Sequence, residues 1–108
     1  MAVKIVIVNA RVWTGDPRRP WADAVAIEGD RIEAVGSSAE IMKLAAGARV
    51  IDAKGAMVEA VEPGVLRAGI LADLVMTERD VAPIAPTPVR NATVLLKIVG
   101  GRIVFERA

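Results

Sequence analysis

Short apolar segments rich in valine and isoleucine follow one another along this chain, each ended by glycine, proline, aspartate or asparagine. Segments this short, bounded by turn formers, predict a mainly β protein. Lys4–Asn9 is an unbroken apolar run, which predicts a strand buried on both faces, and Arg11–Thr14 would continue it past a kink. Gly15–Trp21 holds Pro17 and Pro20, which lack amide protons, so a loop is expected there with Trp21 packing it down. Ala24–Glu28 and Arg31–Val35 flank Gly29-Asp30, a pair suited to a tight hairpin. Leu95–Val99 and Arg102–Phe105 flank Gly100-Gly101 in the same way.

One helix is expected among the strands. Ser37 can cap it while Glu40 reaches back, the reciprocal pattern of a capping box. Ile41, Met42, Leu44 and Ala45 supply an apolar stripe and Gly47 a left-handed exit, giving about two to three turns. Beyond it, Arg49–Asp52 and Ala56–Glu59 read as strands around Lys54-Gly55, and Ala72–Thr77 as another. Val81–Val89 is proline-rich and expected to be irregular. No internal repeat or long linker divides the chain.

With 108 residues, one domain is expected. Hydrophobic residues make up 54% of it but only two tryptophans and one phenylalanine are aromatic, so aliphatic side chains must build the core. No apolar run approaches the ~20 residues of a membrane span, and no secretory leader pattern opens the sequence. A soluble, cytoplasmic protein is the expectation. The absence of cysteine removes disulfides and thiolate ligands. A net charge of +1 with scattered basic residues gives no footprint for nucleic acid. The Arg18-Arg19 pair reads as a solvated loop.

Catalytic constellations are equally thin. The chain has no histidine, so Ser37 and Ser38, its only serines, lack an imidazole base, and capping is their expected role. The carboxylates Asp16, Asp23, Glu28, Asp30, Glu33, Glu59, Glu62 and Glu78 show no spacing that brings a particular pair together. Gly29, Gly36, Gly47, Gly55, Gly100 and Gly101 mark turns without a phosphate-binding pattern. Trp13 and Trp21 read as packing anchors rather than a stacking platform. Asp52–Ala60 (DAKGAMVEA), followed by Glu62–Val65, is similar to the hairpin of lipoyl or biotinyl carrier domains. That similarity would make Lys54 the modified lysine, although the second symmetric half of such a domain is missing.

A broader resemblance lies in the order of the segments. Ile5–Gly15 (IVIVNARVWTG), Ala24–Gly36 (AVAIEGDRIEAVG) and Val50–Val58 (VIDAKGAMV) resemble, in sequence order, the opening of metal-dependent amidohydrolases of the urease and imidazolonepropionase kind. Gly64–Met76 (GVLRAGILADLVM) resembles the segment that returns from their catalytic barrel, and Val94–Phe105 their terminal hairpin. Ala68 and Ile70 depart from this pattern, standing where proline and lysine are common. In the family the two blocks flank a metal-binding (β/α) barrel, and a barrel alone needs ~250 residues. Here residues 59–63 join them directly. The resemblance therefore implies one composite domain, with residues 1–58 as its first part and 64–108 as its second. Its fold would be a small β-sandwich or partly open barrel with one short helix.

The resemblance also implies a functional reading. The parent activity would be hydrolysis of C–N bonds other than peptide bonds, but the barrel that carries metal and catalytic ligands has no equivalent here. No catalytic residue, cofactor or metal ligand is expected, and Asp52 and Asp73, which bracket the missing barrel, are expected to satisfy strand ends or turns. A non-catalytic structural or interaction role follows. Its partner would be a second copy, through residues near the join such as Val61, Val65, Leu66 and Ile70, or a separately encoded barrel subunit.

Overall fold

The computed structural model describes residues 4–61, 64–78 and 93–107. Its strands are β1 (Lys4–Val8), β2 (Arg11–Trp13), β3 (Trp21–Ala22), β4 (Ala24–Glu28), β5 (Arg31–Gly36), β6 (Arg49–Asp52), β7 (Met57–Ala60), β8 (Leu74–Thr77), β9 (Val94–Val99) and β10 (Arg102–Glu106), with one helix, α1 (Ser38–Met42), between β5 and β6. They form a four-stranded sheet, in the order β5-β4-β1-β6, and a six-stranded sheet, in the order β10-β9-β8-β7-β2-β3. Both sheets are mixed and neither closes into a barrel. The proline-rich Val81–Val89 lies outside the described residues. Among those described, no helix is long and apolar enough to cross a membrane.

The alternation of side chains along each strand decides where the core sits. Ile5 and Ile7 of β1 and Val25 and Ile27 of β4 belong to one cluster with Val12, Val58, Leu74, Met76, Leu96 and Ile98 of the six-stranded sheet. Val6, Val8, Ala24 and Ala26 point the other way and pack with Ile41 of α1, with Leu44, Ala45 and Ala48 against them. The four-stranded sheet is thus covered on both faces at its centre, which is why β1 needs no polar alternation.

The sheets are joined by a paired crossing. β1 and β6 run parallel in the first sheet, from Ile5 opposite Arg49 to Val8 opposite Asp52. β2 and β7 run parallel in the second, with Arg11 opposite Met57 and Val12 opposite Val58. Between them each chain passes a non-glycine residue in the left-handed region, Asn9 at φ 56° and Lys54 at φ 53°. The two crossings are stitched together: Gly55 N–H donates to the Asn9 carbonyl at 2.7 Å and Ala53 N–H to the Val8 carbonyl at 2.9 Å. Strands that change sheets through such a bend make the corner of a sandwich.

Two expectations are corrected here. Arg11–Thr14 does not extend β1 in its own sheet, because the bend at Asn9 delivers it to the other. The strands expected around the Lys54-Gly55 turn are present as β6 and β7, and they belong to different sheets rather than forming the hairpin that the carrier-domain similarity implies. The helix is a little over one turn long rather than two to three. Its capping box forms as expected, with Glu40 N–H donating to Ser37 Oγ and Ser37 N–H to Glu40 Oε1. Past Met42 the chain tightens instead: Leu44 N–H bonds the Ile41 carbonyl and Ala45 N–H that of Met42. These i to i+3 bonds keep Leu44 and Ala45 on the core while Met42 turns outward.

At the opposite end of the sandwich the two expected hairpins are present and interlock. A Cβ on Gly101, at φ 78°, would lie 1.8 Å from the Gly29 carbonyl oxygen. Gly101 N–H donates to the Ala72 carbonyl and Ala72 N–H to that of Asp30, so the turn of each sheet is tied to the other.

Candidate functional site

Several polar side chains singled out in the sequence are committed to the backbone. Asp52 Oδ1 accepts from Lys54 N–H at 2.9 Å and from Asn9 Nδ2 at 3.2 Å. The Lys54 backbone bond, then the Asn9 bond, hold its carboxyl below the ordinary range. Asp73 Oδ1 accepts from Gly100 N–H at 2.7 Å, and Ser38 Oγ accepts from Asn9 N–H at 2.9 Å. Asp52 and Asp73 thus hold turns, Asp52 at Lys54-Gly55 and Asp73 at Gly100-Gly101. The Ser37 bonds likewise lower the Glu40 carboxyl.

The remaining carboxylates are dispersed. Asp16 accepts from Arg18 N–H, Asp30 pairs with Arg31, Glu33 with Lys4 and Glu106 with Arg49. Among the described residues, no group of three or more histidine, cysteine, aspartate or glutamate side chains is placed to hold a metal ion. Glu62 lies outside the described residues.

Lys54 is exposed beside a cleft of about 390 Å³ at the open edge between the sheets. Ile51, Met76 and Leu96 are among its apolar lining, and Lys54, Glu78, Glu106 and Arg107 among its polar lining. The carrier resemblance needs this lysine at the tip of a hairpin, whereas here the strands on either side of it diverge into separate sheets.

The segment that begins at Gly64 packs closely on the loop after β2. Leu66 N–H donates to the Thr14 carbonyl at 2.7 Å, and a Cβ on Gly15 would come within 2.5 Å of the Gly64 carbonyl oxygen. Leu66, expected at a contact surface, is instead in the core at 3% exposure, and Ile70 packs partly against it. Val61 and Val65 remain exposed.

The surface that sequence reasoning missed is the outer face of the six-stranded sheet. Glu59 of β7 lies opposite Val75 of β8, Val75 opposite Lys97 of β9, and Lys97 opposite Phe105 of β10. Trp13 follows Val12, which lies opposite Val58, and so sits beside Glu59 on the same face. One row therefore reads Trp13, Glu59, Val75, Lys97, Phe105 across β2, β7, β8, β9 and β10. Trp21 extends it on β3, opposite Trp13. The tryptophans are 41% exposed and are not core anchors; their rings meet edge to face at 5.0 Å. The Arg11 guanidinium covers Trp21 at 4.7 Å. Phe105, Val61 and Val99 are likewise about two-fifths exposed. Burial raises the Glu59 carboxyl above its ordinary range. Alternation of Met57 and Glu59 within β7, continued by Val61 just beyond it, was the available signal, but only the strand order places Glu59 beside Trp13 and in one row with Lys97.

No protein-family model matches this chain, and neither does any curated protein. Solved structures resemble it in part. An uncharacterized metal-dependent hydrolase from Pyrococcus furiosus aligns at 25% identity and a TM-score of 0.49, over 53% of this chain and 13% of its own. An enamidase of the amidohydrolase superfamily aligns at 38% identity and a TM-score of 0.43, over 51% of this chain and 15% of its own. A protein from Bacillus thuringiensis aligns at 29% identity and a TM-score of 0.45, covering 60% of this chain and 85% of its own. The chain spans only a small part of either hydrolase's length. Its neighbours among solved structures thus include a metal-dependent hydrolase and an amidohydrolase-superfamily enamidase, each matched over about half of this chain.

Proposed function

We propose that this chain is a non-catalytic interaction domain derived from a metal-dependent amidohydrolase, with residues 59–63 standing in place of the barrel. The observation that carries the interaction role is the outer face of the six-stranded sheet, where Trp13, Trp21, Val61, Val99 and Phe105 are all substantially exposed. Large apolar side chains left exposed on one face of a small domain, here with Trp13 and Trp21 adjoining, commonly mark a contact with another macromolecule. The non-catalytic part of the reading is supported by the chain's chemistry: without imidazole or thiolate, scattered carboxylates are poor selectors of zinc.

Metal analysis of dialysed protein, paired with an amide-hydrolysis assay, tests this reading. The expected outcome is sub-stoichiometric zinc and no turnover. One equivalent of retained zinc together with hydrolysis that a chelator abolishes would overturn it.

A further inference from the structure

The row across the six-stranded sheet has an order that a single copy cannot use. Reading outward from Val75, one side presents an acid and then an aromatic ring, and the other a base and then an aromatic ring: Glu59 and Trp13 against Lys97 and Phe105. Glu59 and Lys97 are two strands apart, roughly 10 Å at the usual spacing between neighbours, too far to pair directly across the intervening strand. Neither has an ion-pair partner among the described residues. A two-fold rotation through Val75 exchanges the two halves. It lays each acid over a base and each tryptophan over a phenylalanine, the self-complementarity that an isologous interface requires.

We propose that the outer face of the six-stranded sheet is a homodimer interface with its two-fold axis at Val75, in which Glu59 pairs with the partner's Lys97 and Trp13 packs on the partner's Phe105. Val75 is already almost covered, so the flanking pairs carry the contact. The raised Glu59 carboxyl fits a group that is partly desolvated and still short of a counter-charge. Five strands at about 4.8 Å spacing, contacted over a few residues each, bury less than the ~800 Å² per partner of a standard interface. A dimer dissociating in the micromolar range is expected. The inference rests on reading the chain as an interaction domain and adds which surface interacts and with what.

Sedimentation equilibrium over a wide concentration range, on the whole chain, provides the test. The unaltered protein should show a monomer–dimer equilibrium. Lys97→Glu and Glu59→Lys should each weaken it at least tenfold by facing like charges across the axis, and the double variant E59K/K97E should recover most of the loss. Met42→Ser, an exposed apolar position on the helix, should leave association unchanged. A strictly monomeric wild type, or a dimer that the single variants leave intact, would overturn the proposal. So would failure of the charge exchange to rescue association in a double variant with unaltered circular dichroism. A dimer that passes these tests yet holds zinc and hydrolyses amides would sink the non-catalytic reading and leave this interface standing. An inert monomer would do the reverse.

Discussion

At its centre the four-stranded sheet hides both of its faces: Ile5, Ile7, Val25 and Ile27 lie against the other sheet, and Val6, Val8, Ala24 and Ala26 lie under α1 and the turns after it. The six-stranded sheet shares the first kind of cover but carries Trp13, Trp21, Val99 and Phe105 on a face where each remains substantially exposed. The same alternation of large apolar residues therefore has two different energetic meanings. On β1 it fixes the fold, because exposing it would forfeit about 25 cal/mol for each Å² of apolar surface. On the outer face it adds much less to the monomer, since Trp13, Trp21, Val99 and Phe105 stay substantially exposed to water.

Several substitutions would break or sharpen that contrast. Gly101→Val should be the most damaging, since it combines a left-handed φ with a Cβ driven into the Gly29 carbonyl at the point where the sheets are tied. Strain and overpacking together predict a loss of about 4 kcal/mol in urea denaturation, and a midpoint close to wild type would show that this turn yields easily. Ile41→Ala, under the four-stranded sheet, should cost about 3 kcal/mol by the same measurement. Its counterpart Val99→Ala, on the outer face, should change monomer stability by no more than about 0.5 kcal/mol when measured at dilution. Equal losses from Ile41 and Val99 would remove the distinction between the two faces.

Between these extremes, Ser37→Ala should cost about 1 kcal/mol through loss of the helix cap. It should also change the acid limb of the stability curve. Glu40 has a folded-state pKa lowered chiefly by its Ser37 backbone bond, so its contribution is present above its ordinary pKa and lost as pH falls through the folded value. Ser37→Ala keeps that backbone donor and removes only the second cause, the Ser37 hydroxyl, so the fall in stability on acidification should be slightly shallower. Glu59 works with the opposite sign: because burial raises its pKa, acidification through that range favours the folded chain. Chemical denaturation from pH 7 down to pH 3 separates the two, and a Ser37→Ala acid limb steeper than that of wild type would contradict the share given to the Ser37 hydroxyl.

Local chemistry made much of this fold legible. The unbroken apolar run of β1, the hairpins at Gly29 and Gly100, and the Ser37 to Glu40 capping box all depend on neighbours in sequence, and all are present. The crossing at Lys54-Gly55 was not legible as such, because a left-handed residue followed by glycine serves a hairpin and a change of sheet equally well. What distinguishes them is the partner of β7, and that partner is β2, far earlier in the chain. The tryptophans were misplaced for a related reason: their residue type indicates burial, whereas their position on the outer face is set by strand register. The candidate interface was invisible for the same cause, since Trp13, Glu59, Val75, Lys97 and Phe105 form no motif until five strands are laid side by side.

The paired crossing at Asn9 and Lys54 also bears on how the molecule assembles. Because β1 pairs with β6 and β2 with β7 in the same parallel sense, docking the first pair carries the second into register, and neither sheet has its central ladder without a long loop being closed. Such non-local parallel pairing makes for a high contact order and slow folding. Once the corner closes, however, both sheets acquire their seed in one event. Formation of the two layers should therefore be kinetically concerted, with the β8–β9–β10 meander adding to the exposed side of β7 afterwards. A β-branched residue at Asn9 or Lys54, where the backbone is left-handed, would then slow refolding by more than its effect on equilibrium stability alone accounts for.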